Sequence, residues 1–139
     1  MISNEKMAQI ASYMDDEIRE KVHNELAPCT NEEFLLKYYE SIEDNEEKDD
    51  FEELMYSEFN VQMVDVWYEV YLKKCANDCE GIMNEFEGSI VGSDVLKMLE
   101  LLESVTSVEN LGYSGNMVGY YWYEVELVNG DTFTVYCKE

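Results

Sequence analysis

Negative charge is spread along the whole of this chain, and it limits the folds that the chain can adopt. The 139 residues include 32 Asp and Glu against 9 Lys and Arg, which gives a net charge of −23. Residues 1–60 hold 18 of the acids and 5 of the bases, and residues 61–139 hold 14 acids and 4 bases. Self-repulsion of this size opposes compaction. A folded form therefore needs a substantial apolar core and must keep its carboxylates at the surface.

The apolar content of the chain is sufficient for such a core. Hydrophobic residues make up 46% of the sequence and aromatic residues 13%, whereas disordered acidic tails are poor in both. The length suits one ordinary domain, and we find no linker that would divide it. We predict a single acidic α+β domain over residues 1–139, in which a helical N-terminal two-thirds (1–104) packs with a small C-terminal three-stranded antiparallel sheet, a β-meander over 105–139.

Capping residues and apolar residues at 3–4 spacing predict the first helices. Ser3 precedes one such apolar stripe, and Asp15 or Asp16 either continues that helix or starts a new one with a second stripe. Thr30 and Glu33 form a capping box that opens a third helix.

Two further segments are harder to assign. We predict that the acidic stretch 41-SIEDNEEKDDFEE-53 is a loop followed by a short helix. Residues 61–86 contain β-branched side chains that suit a strand, but their length and 3–4 spacing favour a helix. We predict that Asp49 or Asp50 caps the short helix and that Ser93 or Asp94 caps a later one.

The C-terminal third changes to the alternating pattern typical of strands. The predicted strands lie near residues 105–112, 117–128 and 131–137. For the last hairpin, we choose a three-residue loop with Gly130 in a left-handed conformation. In that register Val125 opposes Phe133 and Tyr123 opposes Val135, which places the apolar side chains on one face.

The acidic stretch holds eight acids and one base in thirteen residues, and it is our candidate binding site. Nucleic-acid-binding proteins draw most of their non-specific affinity from Lys and Arg that lie against phosphates. Carboxylates at i, i+3 and i+4 on a helix stand about 5–6 Å apart at Cβ, close to the separation of neighbouring phosphates. The residues predicted to bind a basic nucleic-acid-binding protein in this way are Glu32, Glu33, Glu43, Asp44, Glu46, Glu47, Asp49, Asp50, Glu52 and Glu53.

Other chemistry is less well supported by the sequence. His23 and Cys29 could form a nucleophile pair, and Cys75 and Cys79 could join them in a zinc site, but their spacing matches no finger or ribbon. The acidic stretch lacks the glycine and the final glutamate of an EF-hand loop. Carboxylate pairs that could serve acid–base catalysis are expected by chance among 32 acids. We predict that the protein is not an enzyme and has no catalytic residues, no metal and no cofactor.

Two stretches, 15-DDEIREKVHNELAPCTNEEFLLKYYE-40 and 50-DFEELMYSEF-59, resemble a segment of small proteins from phages and conjugative elements of Firmicutes. The resemblance spans about residues 15–59 of the chain. Together with the size and acidity, it resembles anti-defence proteins of the anti-CRISPR or antirestriction type, several of which imitate DNA. These proteins share no single fold or motif, so no residue role is carried over.

The resemblance implies a non-enzymatic inhibitor of a bacterial defence nuclease. Its acidic surface would occupy a nucleic-acid-binding groove, with a CRISPR effector as the partner. An immunity protein or antitoxin that neutralises a basic toxin nuclease is the alternative.

The expected setting is the cytoplasm of the host bacterial cell. The chain shows no signal peptide and no apolar run near the roughly 18 residues of a membrane span, and we expect its four cysteines to be reduced. Direct binding of nucleic acid is not expected without a basic stripe, and no membrane partner is predicted. The oligomeric state stays open, although strand 131–137 could be an edge that pairs with a second copy.

Overall fold

The structure, a computed structural model, describes residues 1–138 and forms two compact units, Met1–Val70 and Tyr71–Glu139. The helices in the described range are α1 (Asn4–Ala11), α2 (Asp16–Leu26), α3 (Asn31–Ser41), α4 (Asn45–Phe59), α5 (Met63–Lys74), α6 (Cys79–Phe86) and α7 (Ser93–Leu101). The strands are β1 (Ile90–Val91), β2 (Val105–Tyr113), β3 (Tyr120–Leu127) and β4 (Thr132–Lys138). The predicted α+β class, with its helical N-terminal part, is confirmed. The division into units falls within α5, and the single domain over residues 1–139 stays a prediction.

The first three helices begin at capping residues that the sequence predicted. The side chains of Ser3, Asp15 and Thr30 each accept a hydrogen bond from the backbone N–H three residues further on. Each cap satisfies one of the N–H groups that the first turn of a helix leaves unpaired. The predicted capping box at Thr30 is confirmed in one half only, because Glu33 Oε1 accepts from the Thr30 hydroxyl at 3.0 Å and not from the Thr30 backbone N–H.

The core of the first unit is formed by one apolar stripe from each of its helices. Ile10, Val22, Leu35 and Met55 are fully buried. These apolar side chains recur at helical spacing, so most carboxylates of the same helices lie on the other, exposed faces. Glu69 of α5 is an exception, because it is 7% exposed and accepts a hydrogen bond from the Met1 amino group at 2.8 Å.

The acidic stretch is helical, so the predicted loop is wrong. Helix α4 starts at Asn45 and not after Asp49 or Asp50 as predicted. Its cap is Asp44, whose carboxylate accepts hydrogen bonds from the backbone N–H groups of Glu46 and Glu47 at 2.8 and 3.3 Å. Acids in the first turn are favoured by the positive end of the helix dipole. Phe51, which is 7% exposed, fixes the other face in the core. These two local effects outweigh the repulsion between the acids of α4.

The later helices agree in part with the sequence analysis. Residues 61–86 form α5 and α6, as the periodicity favoured, and Asp78 caps α6. Helix α7 starts one residue earlier than predicted, because Gly92 has the extended backbone of a cap and Ser93 is already helical. The cap predicted at Ser93 or Asp94 is therefore wrong.

The sheet of the second unit has four strands in the order β1-β4-β3-β2. Strands β4, β3 and β2 are antiparallel, as predicted, but β1 pairs parallel to β4. The prediction of a three-stranded antiparallel sheet is therefore wrong by one strand. Strand β1 was missed because its two residues are too few to show alternation. Because β4 lies inside the sheet, the edge predicted at 131–137 is also wrong, and β2 forms the long edge.

The register of the last hairpin is confirmed. Val125 pairs with Phe133 and Tyr123 pairs with Val135, and Gly130 has a φ of 91°. Helices α6 and α7 contact the sheet, and the Phe133 ring centroid lies 6.5 Å from that of Phe86 in α6. The apolar face of the hairpin is therefore the core face of the unit.

Gly81 provides a test of packing in the second unit. A Cβ at this position would overlap the carboxylate of Asp78 and the hydroxyl of Tyr71. We expect Gly81→Ala to lower the free energy of unfolding by about 1–3 kcal/mol, despite the better helix propensity of alanine, as measured by denaturant unfolding. Gly115→Ala is the matched control, because its Cβ would meet nothing within 4 Å. An equal loss in both variants would contradict the packing explanation.

Candidate protein-binding surface

The outward face of α4 carries a continuous stripe of carboxylates. Its members are exposed and spaced i, i+3, i+4 and i+7, and they are Glu46, Asp49, Asp50 and Glu53. Side chains with this spacing lie one above the other on a helix, about 5–6 Å apart at Cβ. Phe51 and Met55 hold the opposite face in the core. We call these four residues the α4 stripe.

The α4 stripe lowers the stability of the free protein. It contains four like-charge pairs at i, i+3 or i, i+4, each of which costs about 0.2–0.5 kcal/mol. Within residues 1–138, no stripe member has a Lys or Arg partner. Lys48, the base within this segment, instead lies over the Tyr39 ring, with Nζ 4.9 Å from the centroid.

The other four predicted acids of this segment flank the stripe. Glu43, Asp44, Glu47 and Glu52 are all exposed. Asp44 caps the helix, and Glu52 Oε2 accepts a hydrogen bond from Tyr39 Oη at 2.8 Å. The structure therefore brings eight of the ten predicted residues together on one helix, its cap and the residue before the cap.

The remaining two predicted acids have local structural roles. Glu32 Oε1 accepts a hydrogen bond from the backbone N–H of Ile2 at 2.7 Å. Glu33 Oε1 accepts a hydrogen bond from the Thr30 hydroxyl at 3.0 Å, and the Glu33 backbone N–H donates to the same hydroxyl at 3.2 Å. Both are half-buried at the start of α3, so they have less freedom than the α4 acids to meet a partner.

An open groove borders the stripe between α4 and the start of α5. It is lined by Asp49, Glu52, Glu53, Tyr56, Gln62, Met63 and Val64. Tyr56 is 54% exposed and Val64 47%, so carboxylates lie beside accessible apolar surface. Lys and Arg side chains have an apolar stem and a charged head. In this groove the stem can pack on Tyr56 and Val64 while the head pairs with a carboxylate.

The apolar part of this groove was not predicted from the sequence. The groove depends on Asn60, which ends α4 in the left-handed conformation with a φ of 54° and lets the chain enter α5. Asn tolerates this conformation better than most residues. That preference was the signal available in the sequence.

The structure gives little support to the other chemistry considered. His23 and Cys29 line a second groove together with Arg19. Burial raises the pKa of the Cys29 thiol and the negative charge of Glu33 raises it further, which is the opposite of nucleophile activation. Among residues 1–138, no group of three or more His, Cys, Asp or Glu is placed to hold a metal ion. No helix in that range has the length and apolar character needed to cross a membrane.

The fold and this surface define a small acidic α+β protein that displays a row of exposed carboxylates on one helix. Residues 3–41 match the model of a family described as anti-CRISPR protein AcrIC5. The matched segment contains α1, α2 and α3 with Glu32 and Glu33, and it ends before α4. Of the two types of anti-defence protein that the sequence resembles, anti-CRISPR and antirestriction, this similarity supports the anti-CRISPR type. No curated protein and no solved structure gives a significant match to the chain.

The Tyr39–Glu52 contact behind the stripe gives a pH test. Burial, then the hydrogen bond to Glu52 and the charges of Glu52 and Asp49, raise the pKa of Tyr39 to about 12. Because this lies above the ordinary 10.0, the neutral hydroxyl contributes stability that is fully present below pH 10 and lost as the pH rises through about 12. We expect Glu52→Gln to lower the Tyr39 pKa in an NMR titration of the tyrosine ring carbons.

Unfolding measured between pH 10 and 12 provides the companion experiment. Tyr39→Phe should remove part of the loss of stability that the unsubstituted protein shows in this range. An unchanged Tyr39 pKa in Glu52→Gln would show that the contact has no influence on the titration.

Proposed function

We propose that this protein is a non-enzymatic inhibitor of a CRISPR effector nuclease, and that its α4 acids occupy a nucleic-acid-binding groove of that effector. The observation that carries the proposal is the α4 stripe, a rigid row of exposed carboxylates that stays unpaired at a cost in stability. The similarity of residues 3–41 to an anti-CRISPR family supports the class of target. It also favours this function over that of an immunity protein for a toxin nuclease.

The stripe would act by replacing phosphates. From Glu46 to Glu53 it extends about 10 Å along the helix axis, with carboxylates close to the spacing of neighbouring phosphates. A basic groove that binds nucleic acid gains affinity by releasing counterions, and the same Lys and Arg can pair with the stripe. Because the helix fixes the carboxylates beforehand, binding does not have to order a flexible tail.

The flanking residues would extend this contact. Glu43, Asp44, Glu47 and Glu52 add charge at the edges of the stripe, and the groove beside Tyr56 accommodates the stem of a partner side chain. Glu32 and Glu33 stay in the proposed surface with a smaller share, because their oxygens already accept hydrogen bonds. The inhibitor would act in the cytoplasm of the host bacterial cell, where it meets the effector.

Competition with target DNA tests the proposal. Purified protein is mixed with each of a panel of guide-loaded CRISPR effectors, and target-DNA binding is measured by gel shift at about 0.1 and 0.5 M salt. These concentrations are chosen because the Debye length is about 10 Å at the lower one and shorter at the higher one. We expect one effector to lose DNA binding at low salt and regain it at high salt. Normal DNA binding by every effector at both salts would reject the proposal.

Neutral substitutions separate loss of contact from loss of fold. The test variant carries Glu46→Gln, Asp49→Asn, Asp50→Asn and Glu53→Gln. We expect its affinity for the effector to fall by about a hundredfold or more, from several lost charge pairs of about 1 kcal/mol each. Its thermal stability should rise, because the repulsion within α4 is removed.

A control variant with the same change in charge completes the design. It carries Glu80→Gln, Glu85→Gln, Glu100→Gln and Glu103→Gln, all exposed positions outside α4. We expect this control to inhibit nearly as well as the unsubstituted protein. Equal losses in both variants would show that total charge, and not the α4 stripe, determines binding.

A further inference from the structure

One face of the sheet in the second unit carries acidic and aromatic side chains together. The opposite face holds Phe133, which packs beside Phe86 of α6. Because side chains alternate along a strand, Trp122 and Glu124 of β3 lie on the face turned away from that core. Tyr136 pairs with Trp122 across the strands, so it shares this face.

Two glutamates stand directly opposite each other on this face. Glu109 of β2 pairs with Glu124 of β3, and like charges in this position are destabilising. Within residues 1–138, neither of them forms an ion pair. Glu126, which pairs with Ser107 in the next row, adds a third carboxylate about 7 Å further along β3. This face therefore has negative charge that the described chain leaves without a cation.

An accessible indole lies beside this charge. Trp122 is 36% exposed, and the residue that pairs with it in β2 is Gly112, which has no side chain to cover the indole. The row of Trp122 is about 7 Å from the row of Glu109 and Glu124. Lys138 lies on the same face, but it pairs with Tyr120 in the row beyond Trp122, away from the glutamates.

We propose that this face binds an extended, arginine-bearing segment of a partner protein. A guanidinium can stack on the Trp122 indole while its N–H groups donate to the carboxylate of Glu124 or Glu109 in a bidentate contact. Charge complementarity selects this occupant. Nucleic acid and a second copy of the chain are both strongly negative and would be repelled, and an ammonium lacks the planar group that both stacks and donates in pairs.

This surface goes beyond the proposed function and does not depend on it. It uses residues of the second unit, whereas the α4 stripe belongs to the first. Either surface can bind its partner whether or not the other one does, so the experiments on the two surfaces have separate outcomes.

Trp122 fluorescence gives a local measurement of binding at this face. The protein has two tryptophans, so Trp67→Phe leaves Trp122 as the sole indole. A short peptide that alternates arginine with threonine is titrated into this variant, and a peptide that alternates lysine with threonine serves as the chemical control. We expect a saturable change in Trp122 emission, with affinity for the lysine peptide at least about threefold lower.

Charge variants in the same background identify the carboxylates involved. Glu109→Gln with Glu124→Gln should weaken binding of the arginine peptide about tenfold, as expected for the loss of two charged contacts, and should raise the thermal stability. Glu80→Gln with Glu85→Gln, which changes the charge equally on α6, should weaken it less than about twofold. The proposal is wrong if Trp122 emission does not change, if both variants weaken binding equally, or if the lysine peptide binds as tightly.

Discussion

Repulsion between carboxylates is the constraint on which the rest of this structure depends. With a net charge of −23, the chain stays folded only if its elements bury apolar stripes and leave nearly all of the acids at the surface. Helix α4 shows how this is achieved. Asp44 caps its first turn, the helix dipole favours the acids next to the cap, and Phe51 and Met55 anchor the inner face. The order of the acidic segment therefore comes from its cap and its core contacts, not from pairing with bases.

The two units present negative charge in geometrically different ways. In the first unit, helical spacing aligns the α4 stripe along one axis beside the groove at Tyr56. In the second unit, cross-strand pairing sets Glu109 against Glu124 beside Trp122. Both arrangements place carboxylates next to accessible apolar surface, which is the combination that Lys and Arg side chains can use along their whole length. A basic patch on a protein is thus a better match for either surface than a free metal ion.

Local features were predictable from the sequence, and features that depend on other parts of the chain were not. The caps at Ser3, Asp15 and Thr30 and the Gly130 hairpin each depend on a few neighbouring residues, and each is confirmed. The sequence also identified the acids of the α4 segment, but it predicted a loop and placed the helix start at Asp49 or Asp50, whereas the cap is Asp44. Strand β1 has two residues and exists only through pairing with β4, so no periodicity could reveal it.

The cost of the α4 stripe has a consequence for its binding. Its like-charge pairs destabilise the free helix by about 1–2 kcal/mol in total, and a partner that places cations against them removes this cost. Part of the affinity would therefore come from relief of strain that is already present in the free protein. The same linkage means that a bound partner would stabilise the folded protein against unfolding. A flexible acidic tail would gain less, because it can spread its charges before binding and must then be ordered. A folded, repulsive helix is thus better suited than a tail to occupy a basic groove.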